Sequence, residues 1–174
     1  MDDSPDHPEA PILDRLRSLG IDYLRIDHPA VFTADEARAK VPPMPGAKAK
    51  NLLVQDRSGE QVFMVTVPYD KSVDLKALAA ALGTRKLSFV SAESMQELIG
   101  VTPGAVSLLG LINDKGCKVQ PVIDRVTWES EALQCHPLVN TATLSIGMAD
   151  VARLFEATGH APMVIDVPSR APLD

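Results

Sequence analysis

Two apolar runs, residues 51–55 and 61–67, flank Asp56-Arg57-Ser58-Gly59-Glu60. Short β-rich runs around a glycine-bearing polar turn predict an antiparallel hairpin near the middle of the chain. Helical spacing surrounds that hairpin. Ile12, Leu13, Leu16 and Leu19 share one face before Gly20, and Met148, Val151, Leu154 and Phe155 share another before Gly159. Thr33 with Glu36, Asp74 and Ser91 each stand where an N-cap begins a further helix. Other strands are predicted over 22–27, 87–90, 106–111, 118–123, 142–146 and 163–167. Residues 41–46 hold three prolines and a glycine, which excludes helix and central strand and predicts a loop before Lys50. Hairpins mixed with helical crossovers indicate an α+β domain with a mixed sheet.

No linker or internal repeat divides the 174 residues, so one domain over 1–174 is expected. No apolar run approaches the ~20 residues that span a bilayer. The acidic start, Met1-Asp2-Asp3-Ser4-Pro5-Asp6, lacks the apolar stretch of a signal peptide, so a cytoplasmic setting is expected. A formal net charge of −6 argues against broad electrostatic binding of nucleic acid, and no helix-turn-helix signature points to DNA. Small local basic surfaces remain available at Lys48 with Lys50, Arg85 with Lys86, and Lys115 with Lys118. Cys117 and Cys135 are too far apart for a CxxC pair and read as small strand-associated side chains. The histidines His7, His28, His136 and His160 lack zinc spacing, so neither a metal nor another cofactor is expected.

The chain has no Walker A loop, no dinucleotide fingerprint and no G-x-S-x-G. Its polar groups at strand ends are of another kind. By itself Lys50 reads as a solvated surface charge. Asn51 follows it directly, and adjacent side chains on a strand face opposite ways, so both serve one site only if the strand begins or bulges there. His136 and His28 each precede a proline and are biased to extended backbone. A neutral His136 imidazole can bond substrate or position water, or simply pin a strand end. Asn113 and Asp114 suit a local turn before Lys115-Gly116. Thr141 and Thr143 share one strand face. Ser107 has no recognised base beside it and is no nucleophile.

Several segments carry a resemblance when taken in order: His28-Pro29-Ala30-Val31-Phe32-Thr33, Lys50-Asn51-Leu52, Val73-Asp74-Leu75-Lys76-Ala77-Leu78, Leu87-Ser88-Phe89, Gly110-Leu111-Ile112-Asn113-Asp114 and His136-Pro137-Leu138-Val139-Asn140-Thr141. From about His28 to Pro168 the chain resembles the stand-alone bacterial prolyl-tRNA editing proteins. Within them it is most similar to the branch that clears alanine from proline tRNA. The resemblance implies a curved, partly closed, mostly antiparallel mixed sheet flanked by helices. It implies catalytic roles for Lys50, Asn51 and His136. It places His28 and Thr141 at the substrate pocket, with the loop Gly104-Ala105-Val106-Ser107-Leu108 shaping that pocket through its amides. The family's loop ends in proline, whereas this chain has Leu108, which removes a φ restraint.

The implied activity is trans-editing: hydrolysis of the ester in Ala-tRNA(Pro), with the substrate's own ribose hydroxyl assisting. The partners implied are the acceptor end of the mischarged tRNA and prolyl-tRNA synthetase. An aminoacyl ester is already activated, so orientation, a water and oxyanion stabilisation suffice. Lys50 serves either a phosphate or the oxyanion. Two rivals stand beside this reading: a deacylase for cysteine or another small amino acid on the same tRNA, and a non-catalytic acceptor-end or synthetase-binding module.

Overall fold

The structure is a computed structural model that describes residues 7–171. Its spine is β2 (Ala47–Asp56), a strand whose two edges are treated differently. One edge pairs antiparallel with β3 (Val62–Pro68) from Ala49↔Pro68 to Gln55↔Val62. The other edge is shared. Ala47 and Lys48 run parallel to β6 (Ala132–Cys135), while Val54 to Asp56 pair antiparallel with β4 (Leu87–Phe89). Between them this edge of β2 has no ladder partner.

The remaining strands extend the sheet outward. Beyond β6 lie β7 (Ala142–Gly147) and β1 (Tyr23–Asp27), and beyond β3 lie β5 (Val119–Asp124) and β8 (Met163–Ile165). Four of the strand pairings are antiparallel and three parallel. The two outermost strands, β1 and β8, do not pair with one another, so the eight-stranded sheet is open rather than partly closed.

Alternation along β2 divides the core. Leu53 belongs to a larger cluster with Met64, Ile12 and Leu16 of α1 (Ala10–Ser18), Ile99 of α4 (Ala92–Ile99), and Leu154 of α6 (Met148–Thr158). Val54 belongs to a smaller one with Val65, Val67 and Leu78 of α3 (Leu75–Ala81). The predicted caps are present: Asp74 accepts from Lys76 N and Ala77 N, and Ser91 accepts from Ser94 N. At α2 (Ala34–Lys40) Thr33 accepts from Glu36 N, but the Glu36 carboxylate reaches Phe32 N, one residue beyond the usual capping box. No helix among the described residues is long and apolar enough to cross a membrane.

One predicted strand is not a strand. Residues 108–113 form a 3-10 helix, capped by Ser107, whose hydroxyl accepts from Leu109 N. Leu108, Leu109, Gly110 and Leu111 are all buried, so the run lacks the alternation of a half-buried strand. A continuous apolar run does not declare its period, and here the α4 face decides it. A Cβ on Gly110 would lie 3.2 Å from Ile99 Cβ, so glycine lets the turn press against that helix. The short helix α5 (Arg125–Trp128) and strand β6, four residues each, are too short to show a period in the sequence.

Leu108 is 1% exposed and is a core residue. Leu108→Ala is expected to cost about 2–5 kcal/mol of stability, as truncation of a buried leucine does. Urea unfolding measures it, and a cost under about 0.5 kcal/mol would remove Leu108 from the core.

Candidate active site

Where β6 leaves β2, a cavity of about 300 Å³ opens. Its walls include Ala37, Arg38 and Val41 at α2, Lys48, Ala49 and Asn51 of β2, and Tyr69 and Asp70 after β3. Gln134 and Cys135 of β6, His136 directly after it, and Thr143 of β7 complete it. The unpartnered edge of β2 faces this opening, so the split in the sheet and the site are one feature.

Each polar group in the inner wall is held in a defined orientation. Asn51 and Thr66 are directly opposite in the β2–β3 ladder, and the Thr66 hydroxyl donates to Asn51 Oδ1 at 2.7 Å. With its oxygen occupied, the Asn51 amide presents its NH₂ donors to the cavity. His136 Nδ1 lies 2.9 Å from Ala142 O. A carbonyl only accepts, so in the neutral ring Nδ1 carries the proton and Nε2 is left as an acceptor. Burial holds the His136 pKa below 6.5, partly offset by the bond to Ala142 O and reinforced by nearby His28. The neutral, Nδ1-protonated ring is thus the form at neutral pH.

His28 stands behind this group. Its ring centroid is 6.4 Å from that of His136, nearly edge-on. Nδ1 donates to Pro29 O at 3.0 Å, and Nε2 lies 2.9 Å from Thr143 Oγ1. Thr143 is in the cavity wall, whereas Thr141 is exposed and meets His28 only through its backbone, Thr141 O accepting from His28 N. Of the two threonines on that face, the site therefore takes Thr143.

Lys50 does not line the cavity. It is paired with Val67 in the interior of β2, on the face of Leu52 and Val54 and opposite Asn51. The strand starts at Ala47 and does not bulge at this point, so the two neighbours diverge. Burial lowers the Lys50 pKa, and Asp70, a residue of the cavity wall, raises it. The ammonium is partly desolvated and lies in the field of the cavity rim.

The 104–108 loop is also outside the wall. Gly104, at φ +91°, is exposed beside Phe32; Ala105 and Ser107 are buried, and Val106 is half-buried. The proline-rich loop before β2 is fastened rather than loose. Gln134 Nε2 donates to Met44 O at 2.8 Å and to Gly46 O at 3.1 Å. Gly46 has φ +106°, and a Cβ there would lie 3.2 Å from the Ala132 backbone. Cys135 is buried, and burial alone pushes its thiol up to about 12, so it stays protonated and is a poor nucleophile. Arg38, Tyr69, Asp70 and Gln134 were not singled out as site residues from sequence. They lie on a helix surface, in a turn and in a four-residue strand, where periodicity marks nothing.

The sequence profile of the aminoacyl-tRNA editing domain matches residues 28–154. The chain is 31% identical over 156 residues to the prolyl-tRNA editing protein ProX of Acetoanaerobium sticklandii, covering 90% of this chain and 95% of that one. It is 34% identical over 152 residues to the prolyl-tRNA synthetase associated domain-containing protein 1 of Danio rerio, covering 86% and 82%. A crystal structure named as that of a candidate trans-editing enzyme for prolyl tRNA synthetase superposes with a TM-score of 0.71. That match covers 97% of this chain and 100% of the other at 19% identity, and shows the shared fold. The chain belongs to the aminoacyl-tRNA editing domain family, and its class of activity is aminoacyl-tRNA deacylation.

A histidine whose folded pKa is depressed resists protonation in the native state only. The stability this secures is complete above about pH 6.5 and is lost as the pH falls through the window below it. His136→Gln, which keeps a donor for Ala142 O, is expected to lessen the fall in Tm between about pH 7.5 and about pH 5. Equal falls for both proteins would mean that His136 is not the buried neutral base described.

Proposed function

We propose that the protein is a trans-editing deacylase that removes alanine from mischarged proline tRNA, working in the cytoplasm as one editing unit over 1–174. One observation carries the chemistry: an amide donor on Asn51 and an imidazole acceptor on His136 face one small cavity whose only thiol is held protonated. That combination fits attack by water on an ester. The names of the relatives support proline tRNA as the substrate and its synthetase as an associate. The acceptor end is the part of that tRNA that carries the ester.

In this reading the terminal ribose and its aminoacyl group enter at the split between β6 and β4. The ester carbonyl oxygen takes the Asn51 amide as donor. His136 Nε2 accepts a hydrogen bond from the attacking water or from the free ribose hydroxyl. Water adds to the carbonyl carbon as its proton passes to His136 Nε2, and the oxyanion forms against Asn51. On its collapse the C–O bond to the ribose breaks and the leaving oxygen takes that proton, freeing the amino acid. Lys50 has four methylenes with which to swing its uncommitted ammonium across the open edge of β2 toward that charge. Ala49, Cys135 and Thr143 give the wall short side chains, which suits alanine; exclusion of proline is steric. Rejection by clash is not bound by the ~1–3 kcal/mol that a methylene contributes to binding.

The test is amino-acid release from proline tRNA charged with alanine, cysteine or proline. Selective release of alanine is expected. Asn51→Ala is expected to lower kcat by about 10²–10³, the loss typical of one oxyanion donor. Lys50→Ala is expected to lower kcat more than it raises KM. Release of cysteine in preference to alanine would sink the substrate assignment, and unimpaired Asn51→Ala would sink the oxyanion role.

A further inference from the structure

Tyr69 is the one cavity residue with a polar atom that is buried and has no partner among the described residues. Its backbone is fixed, with Tyr69 N donating to Lys48 O at 3.1 Å. The hydroxyl therefore does not stand there by looseness of the chain. A buried unmade hydrogen bond costs stability, and such an atom in a cavity wall is completed by a water or by a ligand that displaces it.

Two cations in the same wall are also free to meet a ligand. Arg25, Lys40, Lys71, Arg125 and Arg153 each pair with a carboxylate. Arg38 and Lys48, both exposed and both in the cavity wall, enter no ion pair among the described residues. Arg38 acts electrostatically on Tyr69, as does Asp35 with the opposite sign, while burial, the largest effect, raises the phenol's pKa and keeps it a donor. In the cavity wall Arg38 and Lys48 stand against one carboxylate, Asp70. The rim has a positive balance in a chain whose formal net charge is −6. Two free cations that can only donate, beside a buried hydroxyl able to donate, supply the recognition chemistry of a phosphate.

We infer that Arg38, Lys48 and the Tyr69 hydroxyl form a phosphate subsite at the rim of the cavity, which binds the last phosphodiester of the RNA acceptor strand. This inference rests on the editing reading for the identity of the RNA. It divides the labour among the basic residues: Arg38 and Lys48 hold the strand, leaving Lys50 for the oxyanion. Tyr69 is a binding and positioning residue that sets how deep the terminal ribose sits.

The test pairs protein variants with a modified RNA. The probe is an uncharged minihelix of proline tRNA ending in CCA, with either the natural last phosphodiester or a neutral methylphosphonate in its place. Tyr69→Phe is expected to weaken binding of the natural minihelix about tenfold, as loss of a hydrogen bond to a charged group does. It is expected to leave binding of the methylphosphonate form unchanged and Tm no lower. Arg38→Gln with Lys48→Gln is expected to reduce the slope of log K against log salt by about 0.7, one single-strand phosphate's share. In alanine release, Tyr69→Phe is expected to raise KM more than it lowers kcat. Equal weakening on both RNAs, or no weakening, overturns the subsite. Failure of the unmutated protein to bind the minihelix, or displacement of the minihelix by inorganic phosphate at equal concentration, also overturns it. The editing reading fails separately, by absence of amino-acid release from any charged tRNA, while the methylphosphonate comparison still decides the subsite.

Discussion

Everything in the site depends on one strand having two partners along the same edge. β2 is paired without interruption to β3, yet on its other side it is handed from β6 to β4. Unpaired strand backbone inside a fold is costly and is normally covered. Here the uncovered stretch opens into the cavity, where ligand or water can meet it. The continuous β3 edge is what makes the split tolerable. It holds β2 straight and in register, so Asn51 faces Thr66 and its amide is oriented without help from the loops.

Burial then sets the chemistry. The Cys135 thiol is pushed up, and the His136 imidazole and Lys50 ammonium are pulled down; in every case desolvation is the largest cause and the neutral form gains. A site that disfavours charge does not carry a standing thiolate nucleophile. It does carry a neutral imidazole, and it strengthens any hydrogen bond to charge that appears during reaction. An activated ester needs no more than this, so the absence of the familiar nucleophile motifs from the sequence and the electrostatics of the cavity agree.

What the sequence made legible was mostly local. Caps at Thr33, Asp74 and Ser91 and the amphipathic face of α6 depend on near neighbours, and they appear at the expected places. What failed was set at a distance. Residues 108–113 become 3-10 helix because α4 lies against Gly110, and β6 exists because β7 pairs with its whole length and Ala47 and Lys48 lie on its other side. The site divides in the same way. Asn51 and His136 were legible from motif and strand-end position, and both reach the cavity. The choice of Thr143 over Thr141 required knowing what His28 bonds. Lys50 and Asn51 were adjacent in one motif, and alternation across an unbroken strand then separates them. The family motif implies that Ser107 and Leu108 shape the pocket, yet one caps a turn and the other fills the core.

The fastening of the proline-rich loop bears on how such a cavity selects. Exclusion by size works only if the wall cannot yield, because a wall that moves an ångström admits one more methylene. Gln134 bonds two carbonyls of that loop from β6, which pairs with the start of β2, and Gly46 presses its backbone against Ala132. These contacts join the residues before Lys48 to β6, the strand that also delivers His136. In the proposed reading selection and catalysis share a support: loosening Gln134 would enlarge the cavity and misplace the imidazole together. Rigidity matters more here than a tight grip on the amino acid, since an editing site gains nothing from binding a small residue strongly if a larger one can follow it in.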